Sequence, residues 1–329
     1  MSGETMPGEE TTTVSGIELP ESYRRGGTEA PPNTFRRRIA EGLKTDRKML
    51  VGAVVVFLYL VVAIFAPFIA PHSAEATFGL QKEPDSYSRA DVDGDGQLEN
   101  VWHPLGTDSF GRDILSRIIF GARVSMLVAF ATVAFAFVLG TTIGLLAGYY
   151  KGWIDSVLMR YVDFQWAFPE IILAVGIIAL SGGLGVWNVV IAIGLAFVDD
   201  FARLIRSEVL SIREEEYIIA ARAIGMSDVR ILTREIVPNA VASLIVQATV
   251  MIPIAIIAEA SLSFLGLGVK PSTPTWGLLM AQGRDFITQA WWISVIPGIA
   301  LMICVFAFNL VGDGLRDAFD IAGGEVQNR

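Results

Sequence analysis

The stretch Met49 to Ala70, MLVGAVVVFLYLVVAIFAPFIA, carries no charged side chain and is stopped by Pro67 and Pro71. A hydrocarbon layer about 30 Å thick is crossed by a helix of roughly 20 mainly apolar residues. A segment of that length and greasiness either spans a membrane or is deeply buried. The rest of the chain decides for the membrane, because 53% hydrophobic residues, a mean hydropathy of +0.52 and only 18% charged residues lie outside the range of soluble domains.

Five further apolar runs follow, at about 123–148, 157–181, 186–206, 240–266 and 291–311. Six spans place both termini on one side. Arg24, Arg25, Arg36, Arg37, Arg38, Lys44, Arg47 and Lys48 all precede the first span, so that side is cytoplasmic. Arg203, Arg206, Arg213, Arg222, Arg230 and Arg234 between the fourth and fifth spans agree. Residues 71–110 hold Glu75, Glu83, Asp85, Asp91, Asp93, Asp95, Glu99 and Asp108 against only Lys82 and Arg89, which marks an outward-facing loop.

Residues 1–48 are rich in Gly, Glu, Thr and Pro and read as a disordered cytoplasmic tail. The first long apolar segment begins too far in, and runs too long, to be a cleaved signal, so the first span is expected to be retained. The expected organisation is then a first transmembrane helix at 49–70, an extracytoplasmic loop at 71–122, a five-helix core at 123–317 and a cytoplasmic tail at 318–329. The net charge of -9 and pI near 4.9 come largely from the outer loop, and nothing points to nucleic acid as a partner.

Between the fourth and fifth spans lies YIIAARAIGMSDVRIL, residues 217–232. Ile218, Ile219, Ala220, Ala221 and Ile224 read as a small-residue face of a helix beginning near Glu214. Gly225 ends that helix, since glycine tolerates the positive φ that follows a helix C-terminus, and Ser227 suits the cap of a second helix starting at Asp228. Pro238 then fits the first turn of the fifth span. Alanines and a glycine rimmed by arginines and glutamates have the make-up of a docking knob, although a solvated helical loop fits the spacing equally well.

AARAIG followed by Pro238 resembles the EAA coupling loop of ABC-importer permeases, with the pattern Glu-Ala-Ala-x-x-x-Gly and a later Ile-x-Leu-Pro. Ala220, Ala221, Gly225 and Pro238 match it, while Ile219, Glu235 and Val237 replace the Glu, Ile and Leu. Three other stretches carry the resemblance further: AIFAPFIAP, HPLGTDSFGRDILSRIIFGARVSM and AEASLSFLGLGVKPSTPTWG. In that order they are similar to the dipeptide/oligopeptide-type permeases with a long first outer loop, over about residues 45–320.

The resemblance implies an all-α membrane protein with six transmembrane helices and a cytoplasmic coupling helix pair within 213–238. It also implies a second homologous permease subunit, two cytoplasmic ATP-binding subunits that grip Ala220, Ala221, Arg222, Gly225 and Pro238, and an extracytoplasmic solute-binding protein. Di- or oligopeptides are the implied cargo, with nickel or another small solute as alternatives. This chain would transmit force within the lipid and do no chemistry. In keeping with that, it lacks a phosphate-cradling GxxxxGK[ST] sequence.

In TDSFGRDILSRIIFGAR, Ser109 can cap a helix whose Ile114, Leu115, Ile118 and Ile119 share a face while Arg112, Asp113 and Arg117 stay wet. Such a helix should lie along the outer membrane surface. It reads as a lead-in to the second span; the family resemblance adds a binding-protein contact at Asp108, Gly111, Arg112 and Asp113. In DVDGDGQLEN, Asp91, Asp93, Asp95 and Glu99 occupy positions 1, 3, 5 and 9 of a calcium loop with Gly96 at the turn, but position 12 is Trp102. Weak Ca2+ binding and a metal-free acidic turn are both open; no other cofactor is expected. His72 and His103 lie near prolines of the outer loop and read as solvated or docking residues.

An ionisable side chain at mid-span costs roughly 2.5–3.5 kcal/mol on insertion scales, so Asp199, Asp200 and Glu259 each require a partner or a wet cavity. Asp199 and Arg203 are spaced for a local pair. Alternatively Asp200 lines the translocation path and meets a cationic amine, while Glu259 braces a gate. Gly140, Gly144 and Gly148 form a small-residue face for close helix packing. Trp276 reads as a headgroup-level anchor, and Cys304, the lone cysteine, as packing. A secondary transporter or channel without an ATPase is the rival class, but it predicts charges at mid-membrane in several spans. A pure scaffold is the third, and should not show paired cavity acids.

Overall fold

A computed structural model describes residues 13–14, 17–18, 42–44, 46–79, 81–90, 98–181 and 183–327, with side chains placed as far as residue 319. Most of the expected N-terminal tail and most of the calcium loop, including Asp91, Asp93, Asp95 and Gly96, lie outside the described residues. Two short antiparallel hairpins are present: β1 (Thr13–Val14) with β2 (Ile17–Glu18), and β3 (Ser86–Ala90) with β4 (Glu99–His103). The second pairs Ser86 with His103 and Ala90 with Glu99. Apart from two isolated bridges, Thr77 with Arg112 and Thr107 with Asp113, the remaining regular structure among the described residues is helical.

Helix α1 (Arg47–Ile64) starts where the Asp46 carboxylate accepts from the Lys48 amide at 2.8 Å, and a four-residue α2 (Ala66–Ile69) follows it with Pro67 in its first turn. Helix α3 (Ile114–Tyr150) is the longest. Next come α4 (Gly152–Trp166), α5 (Glu170–Ser181), α6 (Val186–Ala196) and α7 (Val198–Ile212). The elbow consists of α8 (Glu216–Ala223), α9 (Asp228–Ile231) and a π-turn Leu232–Ile236 that runs into α10 (Val237–Phe264). The chain closes with α11 (Trp276–Gly283) and α12 (Trp292–Gln327), the latter reaching well past the expected end of the last span.

Among the described residues, four helices are long and apolar enough to cross a membrane, and five segments if the bent pair α4 and α5 counts as one. The sequence predicts six spans, and two of them, the third and the fourth, are interrupted. The third predicted span, 157–181, bends by 97° between α4 and α5. Pro169 lies in the break, where it has no N–H to give and pushes Phe168 away from helical geometry. The fourth, 186–206, is interrupted at Phe197, and α6 alone, at 1.5 Å per residue, is only about 16 Å long. At that break the Gln165 amide donates 3.0 Å to the freed Ala196 carbonyl, so a side chain from α4 replaces the lost helical partner.

The expected surface helix around Ile114 is also absent as a separate element. Asp113, not Ser109, caps α3, accepting from the Ser116 amide at 2.8 Å, and the helix then continues without a break to Tyr150. The outer loop and the elbow consequently sit at opposite ends of one rod about 55 Å long.

Helix α3 is the hub. Gly140, Gly144 and Gly148 form the face that meets α7, as the spacing predicts. A Cβ on Gly144 would lie 2.1 Å from Ile205 Cγ2 and 2.3 Å from the Ala202 carbonyl oxygen. Phe201, Ala202, Ile205 and Val209 of α7 are fully buried against it. Helix α1 is peripheral and turns Val54, Phe57 and Leu58 outward, while Gly52 lets it lie close to the α12 backbone. Cys304 is buried in α12. Trp276 is not a headgroup anchor: it is completely buried, donates to the Ile118 carbonyl at 3.1 Å and meets Tyr59 edge-on.

Candidate functional site

The elbow is built on two anchors and one turn. Ile218 and Ala221 of α8, together with Ile231 and Ile236 after it, are buried in the main core. Ile224 caps the C-terminus of α8, and Gly225 follows with φ +84°, its amide bonded to the Arg222 carbonyl at 3.0 Å. Met226 then donates to the Ala221 carbonyl at 3.0 Å, the six-residue closure typical of a glycine-ended helix. Ser227 takes the N-cap position of α9 without a side-chain capping bond. Pro238 lies in the first turn of α10, directly after the π-turn.

The predicted apolar face of α8 divides. Ile218 and Ala221 point inward, whereas Ile219, Ala220, Arg222 and Ile224 are exposed, Ile224 by 80%. Val229 of α9 is 69% exposed and joins them. A Cβ added at Gly225 would meet nothing within 4 Å, so the glycine is set by its backbone angle and the space around it is open. Tyr217 on the same elbow has its pKa raised by burial, with Glu215 and Glu235 adding to the effect.

One aromatic residue ties this knob to the hub. The Tyr149 hydroxyl donates to Asp228 at 2.6 Å, the Arg222 guanidinium lies 5.1 Å over the Tyr149 ring, and Arg213 donates to the Tyr149 carbonyl at 2.8 Å. Tyr149 itself is buried in the last turn of α3.

The acids predicted for the path lie on two helices, Asp199 and Asp200 on α7 and Glu259 on α10. Asp199 is buried and accepts from Gln165 at 3.1 Å. It does not form the expected pair with Arg203, which donates to Asp163 at 2.8 Å and stacks on Trp166. The break at Phe197 explains the change, because it turns the first residues of α7 toward α4. Asp200 is half-buried beside Asp199. Glu259, wholly buried on α10, accepts from Ser125 of α3 at 3.0 Å and from Ser263 at 2.7 Å, and so clamps α10 to α3.

At the end of α3 away from the elbow, Asp108, Gly111 and Asp113 are buried and only Arg112 is partly exposed. Asp108 accepts from the Phe110 and Arg112 amides, from Arg112 Nε at 2.7 Å and from Arg117 Nη1. Arg112 and Arg117 both also donate to Gln282, joining the loop to α11. Gly111 has φ +74°, and a Cβ there would lie 2.1 Å from the Gly79 carbonyl oxygen. These residues form an internal latch, not an exposed contact face. Arg117 is not wet as periodicity suggested; it is 1% exposed. His103, too, is buried, not solvated.

Residues 140–321 match the family described as the binding-protein-dependent transport system inner membrane component, and residues 34–87 match the N-terminal transmembrane domain of oligopeptide transport permease C. The chain belongs to this permease family. It is 42% identical over 284 residues to the dipeptide transport system permease protein DppC of Alkalihalophilus pseudofirmus, covering 86% of this chain and 89% of that one. It is 43% identical over 290 residues to the glutathione transport system permease protein GsiD of Escherichia coli, covering 88% and 90%. Among solved structures, an inward-facing MetNI methionine ABC transporter aligns with a TM-score of 0.51 at 19% identity, covering 62% of this chain and 97% of that one. That likeness bears on the fold alone.

Within the permease, several supporting residues escape a reading by sequence. Gln165, Gln282 and Ser125 are single polar residues whose partners lie on distant helices. Tyr149 gave no signal beyond its place at the end of an apolar run. Asp155 and Arg206 form a two-pronged pair at 2.6 and 2.7 Å between α4 and α7, for which only their opposite charges are a clue.

Proposed function

We propose that the chain is one of two permease subunits of an ATP-driven importer for di- or oligopeptides, working with two cytoplasmic ATP-binding subunits and an extracytoplasmic solute-binding protein. The observation that carries this reading is the elbow. Ile219, Ala220, Ile224 and Val229 stand exposed around the open space at Gly225, while the underside of the same segment is fastened to the hub helix through Tyr149. A motor that grips the exposed side moves α3 and, through Gly144 and its neighbours, α7. Peptide cargo is supported by the relatives DppC and GsiD, permease proteins of dipeptide and glutathione transport systems.

The orientation that goes with this reading puts the elbow and both termini in the cytoplasm and the hairpin of β3 and β4 outside. The arginine-rich segment at one end of α3 and the acidic loop at the other support it. Glu259, with Ser125 and Ser263, holds the α3–α10 contact that closing and opening must work against, and Asp199 and Asp200 lie beside the bend between α4 and α5. ATP hydrolysis resides in the partner chain.

The test is to solubilise membranes, retrieve this chain by an affinity tag, and identify what accompanies it; an ATPase and a second permease should co-purify. Vesicles carrying the retrieved complex and the binding protein should then take up a labelled dipeptide only with ATP. Uptake at full rate without nucleotide would remove the proposal.

A further inference from the structure

A cluster at the outer end of the molecule plays no part in the function proposed above. His72, from the loop after α2, His103, the last residue of β4, and Asp113, the cap of α3, each present one ligand atom, and these atoms lie within 4.8 Å of one another. His103 Nδ1 is 3.0 Å from Asp113 Oδ1, and His103 Nε2 is 2.7 Å from Ser88 Oγ. The two imidazoles share Phe78 as a wall, at 4.7 Å for His72 and 4.8 Å for His103, and stand 5.7 Å from each other. His103 and Asp113 are buried and His72 is half-buried at the edge.

We propose that this cluster is a binding site for a divalent transition metal of the zinc type, held by His72, His103 and Asp113. Two imidazoles and a carboxylate are borderline donors that suit Zn2+ and disfavour Ca2+ and Mg2+, which take oxygen ligands. Tetrahedral bonds of about 2.0–2.1 Å put ligand atoms roughly 3.3 Å apart. The His103–Asp113 pair is near that spacing already, so the adjustment falls on His72, the one ligand at a half-exposed loop position. Three protein ligands leave the fourth position for a water.

The surroundings supply what such a site needs beyond its ligands. With the metal on Nδ1, His103 carries its proton on Nε2 and donates it to Ser88 Oγ; without metal, Nδ1–H donates to Asp113 and the serine hydroxyl reverses its role. A hydroxyl is the group that serves both states, because it donates and accepts. The second oxygen of Asp113 accepts from the Ser116 amide at 2.8 Å and hydroxyl at 2.7 Å, which fixes the carboxylate. Ser116 Oγ in turn accepts from the His72 backbone amide at 3.0 Å, placing His72 over the site. A bound ion ties the exit of the first span, the β3–β4 hairpin and the start of α3 at one point.

The test uses the full-length chain with its co-expressed partners, purified in detergent through a histidine-free tag and stripped with chelator. Titration with Co2+ should saturate at one ion per chain, with the visible absorption of four-coordinate cobalt, and Zn2+ should displace it while Ca2+ and Mg2+ do not. His72→Gln is the decisive variant, because the bond from residue 72 to Ser116 runs through the backbone and survives the substitution. It should weaken affinity by at least about ten-fold with helical content unchanged. Ser88→Ala should weaken it by about 10–100-fold, the usual effect of losing the partner that orients a histidine ligand. No stoichiometric uptake, or uptake in His72→Gln equal to the parent, overturns the proposal.

Discussion

The Tyr149 hydroxyl donates to Asp228 across 2.6 Å, so the last turn of the hub helix is bonded to the first turn of the elbow's second helix. The two residues are 79 apart in sequence. Arg222 stacks on the same ring and Arg213 holds the carbonyl of the same residue, so three contacts at Tyr149 fasten the elbow to the hub helix.

Tyr149→Phe keeps the ring and its stacking and removes one hydrogen bond to a carboxylate, a loss of about 1.5–3 kcal/mol where the partner is charged. The chain should still insert, since its apolar spans are untouched. Peptide uptake should fall more than ATP hydrolysis, because the motor still binds while its stroke is transmitted less firmly. Equal falls in the two rates, measured on the same vesicles, would show that Tyr149 only supports folding.

Ile224→Asp tests the exposed side alone. At 80% exposure the side chain makes little contact within its own chain, so melting of the detergent-solubilised chain should shift by no more than about 0.5 kcal/mol equivalent. Co-purification of the ATPase should be lost or sharply reduced. Gly225 is a less clean site: a side chain there meets nothing but is strained by φ +84°, which mixes a backbone cost with any loss of docking. An undiminished ATPase yield from Ile224→Asp counts against the elbow as the grip.

The rods and the elbow were legible because both depend on local pattern. A run such as Met49 to Ala70 carries its own instruction, and so does a glycine after an alanine-rich turn followed by Ser227 and Asp228. What was not legible is what depends on distant partners. Arg117 scores as a surface residue by periodicity, and only Asp108 and Gln282, the latter from another helix, explain how a guanidinium can be buried. Phe197 gives no sign of breaking a helix; the break persists because Gln165 supplies the missing bond. Trp276 near prolines looks like an interface anchor until Ile118 takes its N–H.

Gly144 and Gly176 should respond oppositely to alanine. At Gly144 the new methyl would sit 2.1 Å from Ile205 and 2.3 Å from a backbone oxygen of α7, which cannot be relieved by a rotamer change. The cost should reach the upper part of the 1–3 kcal/mol range, about, for overpacking. At Gly176 nothing lies within 4 Å, and helix propensity alone favours alanine by roughly 0.5–1 kcal/mol. Detergent melting curves that move the two variants in the same direction would contradict the close α3–α7 contact.

The latch around Asp108 makes the sharpest energetic prediction, because Asp108 and Arg117 are each 1% exposed. Removing one charge strands the other: Asp108→Asn leaves Arg117 buried with Gln282 as its remaining acceptor, a loss of about 3–5 kcal/mol. Arg117→Met should cost less, since Asp108 still accepts from Arg112 and two backbone amides. The asymmetry follows from the unequal number of remaining partners, and combining the two substitutions should recover part of what Asp108→Asn loses, because no buried guanidinium then lacks its carboxylate. A double variant less stable than Asp108→Asn by the full cost of Arg117→Met would mean that the two side chains act independently and that the latch is held by Arg112 alone.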